Sequence, residues 1–199
     1  MRPLATLGAV LLAALAAAVA ASTSAPTYRV EGSLTRAAFA ITQLGFLTQT
    51  GTFERVWGKI VFDPVARTGS VDFILDGASV STGWNLRDDF IRGENMFDVA
   101  RHPSLRFRSV RLAWDAAALR AVEGEFTLRG VTRPVRLDVR ELRCAPARER
   151  ERCHAEVAGR ISRAAFGMEY GYPLIGDDVD FDFEVTAVRV RDEGETETP

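Results

Sequence analysis

Between Val179 and Val185 the chain alternates without a break: Val179, Phe181, Phe183 and Val185 are apolar, and Asp180, Asp182 and Glu184 stand between them. A period of two is that of a β-strand, whose successive side chains point to opposite faces, so this segment reads as a strand with one dry and one wet side. The pattern recurs. Val71, Phe73 and Leu75 oppose Asp72 and Asp76, Ile60 aligns with Phe62, and similar runs occur at Phe39/Ile41, Val110/Leu112, Val122–Leu128, Val135–Val139 and Val157–Ile161. About eight strands result. Separated by Gly, Pro and Asp turns, with no long helical pattern between them, they predict an all-β antiparallel domain, either a sandwich or a closed barrel. An eight-stranded barrel is wide enough either to be filled by its own side chains or to hold one small ligand. Strand pattern does not choose between these outcomes.

One segment breaks the pattern. In "NLRDDFIRGENMFD", Asn85 to Asp98, either Asn85 or the preceding Thr82 suits a helix N-cap, Asp88 and Asp89 suit the first turns, and Gly93 suits a stop. The expected element is a short helix whose apolar side, Trp84, Leu86, Phe90 and Met96/Phe97, packs on the sheet or closes a barrel mouth. Composition limits what such a domain does. With 199 residues, 47% hydrophobic and 26% charged, the chain suits one globular domain with a substantial core. Its Lys+Arg count of 25 against 27 Asp+Glu gives a formal charge of -2, which offers no positive field for nucleic acid.

The ends read differently from the body. "MRPLATLGAVLLAALAAAVAAS" has a positive start at Arg2, an apolar run, and small residues at Ala18 and Ala20 that suit cleavage before Ala21, so residues 1–20 read as a secretory signal, with an uncleaved anchor as the alternative. The body of the domain spans 27–191, and 192–199, acidic and poor in apolar residues, reads as a disordered tail. Export gives Cys144 and Cys153 a meaning. In an oxidising compartment a lone pair this close is expected to form a disulfide across a hairpin end, contributing about 2–3 kcal/mol in the chain-entropy picture. A metal site would need more ligands than these two and His154.

Four stretches, "GTFERVWGKIVFDP", "RDDFIRGENMFDV", "VEGEFTLRGVTRPVRL" and "FGMEYGYPLIGDDVDFDFEV", occur in one order along the domain. Together they resemble the YceI-like family of secreted, lipocalin-like, polyisoprenoid-binding proteins, over roughly Tyr28 to Val190. The resemblance implies an antiparallel eight-stranded lipocalin-like barrel with a short helical segment. It also implies a long apolar cavity and a non-enzymatic periplasmic role in binding an isoprenoid lipid or quinone-like ligand. The residues then expected to meet the ligand are Phe39, Ile41, Phe53, Trp57, Ile60, Phe62, Phe73, Trp84, Phe90, Met96, Phe97, Phe107, Phe126, Phe166 and Met168. Arg87, Asp88 and Arg92 fit the family's "RD…RG…FD" pattern and are expected at the rim, holding the helix or meeting a headgroup. Where the family commonly carries histidines, this chain has Leu34, Gln43 and Phe90, which implies a more apolar mouth. Transient contact with a membrane or membrane protein, and a homodimer, are the partners such a role suggests.

The residues themselves argue against catalysis. His102 precedes Pro103 and His154 adjoins Cys153, so neither stands in a catalytic or metal-ligand spacing. The acidic cluster Asp177, Asp178, Asp180 and Asp182 lacks the loop spacing and closing Glu of an EF-hand and reads as a solvated turn and wet strand face. "ARERER" mixes signs and reads as a solvated hairpin end. The alternative to a lipid carrier is a ligand-free structural or interaction domain whose aromatics interlock.

Overall fold

The computed structural model describes residues 25–146 and 150–191; the leader and acidic tail read from the sequence lie outside them. Twelve elements matter: β1 (Thr27–Val30), β2 (Arg36–Gln43), β3 (Leu47–Phe53), β4 (Val56–Asp63), β5 (Thr68–Asp76), β6 (Val80–Ser81), α1 (Asn85–Arg92), β7 (Ser104–Asp115), β8 (Ala118–Leu128), β9 (Val131–Ala145), β10 (Arg152–Ser162) and β11 (Ile175–Arg189). Every strand pairing is antiparallel. From β4 the ladder runs through β5, β7, β8, β9 and β10 to β11, and β1 closes the ring by pairing with both β11 and β4. The expected eight-stranded barrel is therefore present, and among the described residues α1 is its one α-helix.

Eleven segments make eight barrel strands because three strands are broken. β1 and β2 both pair with β11, β3 continues into β4, and β6 continues β5. Between β1 and β2 a single turn, Gly32–Leu34, is held where Glu31 N–H donates to the Thr186 carbonyl at 2.8 Å. Breaks of this kind let a strand bend around the barrel while each half keeps its partner.

Period two correctly divides most strands into an inner and an outer face. On β11, Phe181 and Phe183 are 6% and 5% exposed, whereas Asp180 and Asp182 pair outside with Arg160 and Arg140, each at 2.6 Å. β7 departs from it. Val110 was expected to share a face with Leu112, but the pairing skips from Ser109 to Arg111, and the extra residue is thrown outward to 76% exposure. Inside, large rings sit opposite absences. Phe39 pairs across the ladder with Gly51, where a Cβ would come within 2.4 Å of the ring, so only glycine leaves that ring its place.

The barrel has two unlike ends. At one lie the start of β1, the end of β11, and the β4–β5, β7–β8 and β9–β10 turns, the last joined by the Cys144–Cys153 disulfide across paired residues. At the other lie the β2–β3 hairpin tip, α1, the β8–β9 turn and the long β10–β11 connection.

Candidate apolar cavity and its mouth

Inward-facing side chains do not fill the barrel completely. A deep cavity of about 120 Å³ lies toward the disulfide end, lined by aliphatic and Phe side chains with Tyr28 and Cys153 at its floor. A second of about 100 Å³ lies under α1, lined by Phe39, Ile41, Phe53, Phe90, Met96 and Phe97 among others. Ile161 and Phe181 line both, so the Phe181 ring stands between them. That ring is wedged: its centroid is 5.7 Å from Phe126 and 5.4 Å from Phe183. Two apolar cavities thus lie in series along the interior, with Ile161 and the Phe181 ring between them.

The two cavities differ in polarity. The deep one has a single polar side chain of note, the Tyr28 hydroxyl, which donates to Glu151 Oε2 at 2.9 Å. Burial, and then the hydrogen bond and negative charge of Glu151, push the Tyr28 pKa from 10.0 up to about 12. The raised value belongs to the folded state, so its stabilisation is complete below pH 10 and is lost as pH rises through about 12. Urea melts across that range should therefore show a steeper loss of stability for the natural protein than for Tyr28→Phe; identical slopes would remove Tyr28 from the alkaline transition.

The mouth cavity carries polar groups at its edge: Gln43, Gln49, Thr82, Arg87 and Arg163. Arg87 donates from Nε to Thr82 Oγ1 at 2.7 Å, from Nη2 to the Thr82 carbonyl at 3.0 Å, and from Nη1 to Gln49. Asp88 is buried and accepts from Thr82 N–H at 2.8 Å and from its hydroxyl. Arg92 donates to the Ala78 and Val80 carbonyls at 2.9 and 2.8 Å. Together they fasten α1 to Thr82, to β3 and to the β5–β6 segment. The cap is arranged otherwise than expected, since Trp84 occupies the N-cap position without a side-chain hydrogen bond, Asn85 opens the helix, and Asp88 reaches back to Thr82.

Twelve of the fifteen side chains expected to meet a ligand line one cavity or the other: Phe39, Ile41, Phe53, Phe90, Met96, Phe97 and Met168 at the mouth, and Ile60, Phe62, Phe73, Phe107 and Phe126 in the depth. Three of the fifteen, Trp57, Trp84 and Phe166, line neither. Trp57 falls between inward Val56 and Gly58, so strand parity turns it outward to 45% exposure. Trp84 precedes the helix and is 56% exposed. Phe166 is buried in the same apolar core, edge-on to Phe126. Asp88 and Arg92, expected at the rim to hold the helix or meet a headgroup, hold the helix. The reading missed aliphatic liners such as Leu112, Leu137 and Ile91, although alternation marks the first two. It also missed Arg163, which no local pattern marks. That guanidinium is 1% exposed and donates to the carbonyls of Gly176 at 2.7 Å, Ile175 at 2.8 Å and Met168. Burial pulls its pKa down, against the attraction of Asp177.

The acidic cluster holds to its bland role. Asp177 accepts from Ala164 N–H at 2.8 Å, Asp178 and Asp180 face Arg160, and Asp182 faces Arg140.

Comparison with known proteins places this architecture. A UPF0312 protein of Serratia proteamaculans is 28% identical over 94% of this chain and 95% of its own. One from Ectopseudomonas mendocina is 35% identical over about half of each chain, 49% and 51%. Among solved structures, a polyisoprenoid binding domain from Saccharophagus degradans, implicated in plant cell wall breakdown, superposes with a TM-score of 0.62 at 18% identity, covering 82% of this chain and 98% of that one. The family model of the YceI-like domain matches residues 28–187, so the chain belongs to the YceI-like family.

Proposed function

We propose that this barrel binds a long-chain apolar lipid of the isoprenoid class in the cell envelope, as a carrier or store and not as an enzyme. The observation that carries the reading is the pair of apolar cavities in series, opening under α1 and divided by one ring. The polyisoprenoid-binding domain with the same fold supports the ligand class, and the secretory leader read from residues 1–20 supports the compartment. Burying apolar chain surface supplies roughly 25 cal/mol per Å², which makes a passage lined by Val, Leu and Phe a sink for hydrocarbon. Cavities of about 120 and 100 Å³ are smaller than the roughly 300–1,000 Å³ of ordinary ligand sites. A long chain therefore enters by turning the Phe181 ring aside and joining them.

A second reading, a ligand-free structural domain, draws on the same rings: Phe73 meets Phe183 at 5.6 Å and Phe53 stacks on Phe97 at 5.9 Å, as in a closed core. Mass spectrometry of an organic extract from protein purified out of its native host separates the two, alongside titration with a fluorescent isoprenoid analogue. The lipid reading expects a co-purifying isoprenoid and saturable binding that Phe90→Asp weakens on the order of tenfold while the variant still melts cooperatively. No extracted lipid and no saturable binding would leave the structural reading.

A further inference from the structure

The large exposed apolar side chains are not scattered. Among the described residues, nine of fourteen gather at the mouth end of the barrel. Leu44, Phe46 and Leu47 form the β2–β3 tip, with Phe46 at 75% exposure. Trp84, Leu86 and Phe90 form the outer side of the first turns of α1. Tyr170, Tyr172 and Leu174 project from the β10–β11 connection. These protrusions form one surface. Leu44 N–H donates to the Leu174 carbonyl at 2.7 Å, the Phe90 and Tyr170 rings lie 4.8 Å apart, and Arg87 ties α1 to Gln49 of β3.

We infer that this end of the barrel docks onto the surface of a lipid bilayer, with the hairpin tip and the Tyr170–Leu174 segment inserted among the acyl chains. The inference rests on the lipid-binding reading, because the rim is continuous with the mouth cavity: Phe90 belongs to both. A hydrocarbon chain passes between cavity and surroundings without meeting water only if an acyl phase covers that mouth. Charge fits a bilayer interior. Gln43 to Gly51 and Tyr170 to Gly176 carry no charged residue at all, while three of the four charges of α1 turn back onto the protein, Arg87 and Asp88 onto Thr82 and Arg92 onto Ala78 and Val80, and the exposed fourth, Asp89, is paired with Arg92. Trp84 and the two tyrosines are residues that settle at the headgroup level, apolar ring inward and polar tip outward. Three separate projections around an opening suit a fluid partner that moulds to them better than a rigid protein groove. The start of β1 and the end of β11 lie at the far end of the barrel, clear of this surface. No helix among the described residues is long and apolar enough to cross a membrane.

The test is co-sedimentation of the mature chain, from Ala21 on, with vesicles of neutral phosphatidylcholine, at low and high salt. The natural protein is expected to sediment with the vesicles at both, since apolar insertion and not charge drives it. Phe46→Asp should reduce partitioning about tenfold or more, whereas Val65→Asp, 92% exposed on the β4–β5 turn at the opposite end, should leave it unchanged. Failure of the natural protein to sediment, or an equal loss in Val65→Asp, overturns the inference. So does self-association on a sizing column that Phe46→Asp abolishes without any vesicle binding, which would make the occupant a second copy of the chain. A vesicle-free titration with a water-soluble short isoprenoid analogue keeps the two proposals apart. Analogue binding that Phe46→Asp retains, with no vesicle binding by either protein, sinks the docking alone, and absence of analogue binding by the natural protein sinks the lipid-binding reading beneath it.

Discussion

Phe181→Ala is expected to lower the unfolding free energy by about 3–5 kcal/mol, the range for removing a buried ring from a packed core. The residue is 6% exposed and packs against Phe126 and Phe183. Its neighbour on the wet face is the control: Asp182, paired at the surface with Arg140, should change stability by less than about 1 kcal/mol as Asn. Urea denaturation of both variants measures the contrast, and a small, equal effect would mean that the ring is not packed as described. Removing the ring does a second thing. It joins the two cavities, so an isoprenoid analogue should restore to Phe181→Ala more stability than it adds to the natural protein, because a ligand that binds only the folded state stabilises it by mass action. A variant equally destabilised with and without analogue would keep the fold as described but weaken the case for a continuous lipid passage.

Arg163→Met should cost a comparable amount, about 3–5 kcal/mol, for a different reason. The methionine keeps much of the length but none of the donors. Three carbonyls, those of Gly176, Ile175 and the buried Met168, would then lose the guanidinium that gathers them. Arg163→Lys should recover little, since one ammonium does not reproduce a planar fork spanning three acceptors. The damage should begin locally. Hydrogen exchange in the connection that carries Tyr170 and Tyr172 is expected to rise before the barrel strands lose protection. If Arg163→Met melts like the natural protein, the carbonyls have found other partners and Arg163 is not the anchor of this loop.

Arg163 also marks where sequence reasoning stops. Alternation in "VDFDFEV" and "VDFIL" was enough to place Phe181, Phe183, Phe73 and Leu75 inside, because a strand offers a side chain only two directions and water penalises the wrong one. Val110 escaped that logic through one unpaired residue in β7, since a bulge shifts parity with no local signal. Trp57 was assigned to the interior for its chemistry when the parity of Val56 and Gly58 already turned it outward. The resemblance of four ordered stretches supplied the closed barrel, which alternation leaves open to a sandwich.

From its sequence alone this chain is determined to be an all-β domain of about eight strands with a short helix between the third and fourth, because hydrophobic periodicity and turn residues act over a few neighbours. Tertiary structure decided the rest. Closure depends on β1 meeting β11 across the length of the chain, through Tyr28 opposite Arg189. The division of the hollow depends on Phe181 meeting Phe126, and the gathering of Leu44, Phe90 and Leu174 at one mouth depends on three loops far apart in sequence. Each is a meeting of residues that no local pattern relates, and only the paired sheet brings them within contact distance.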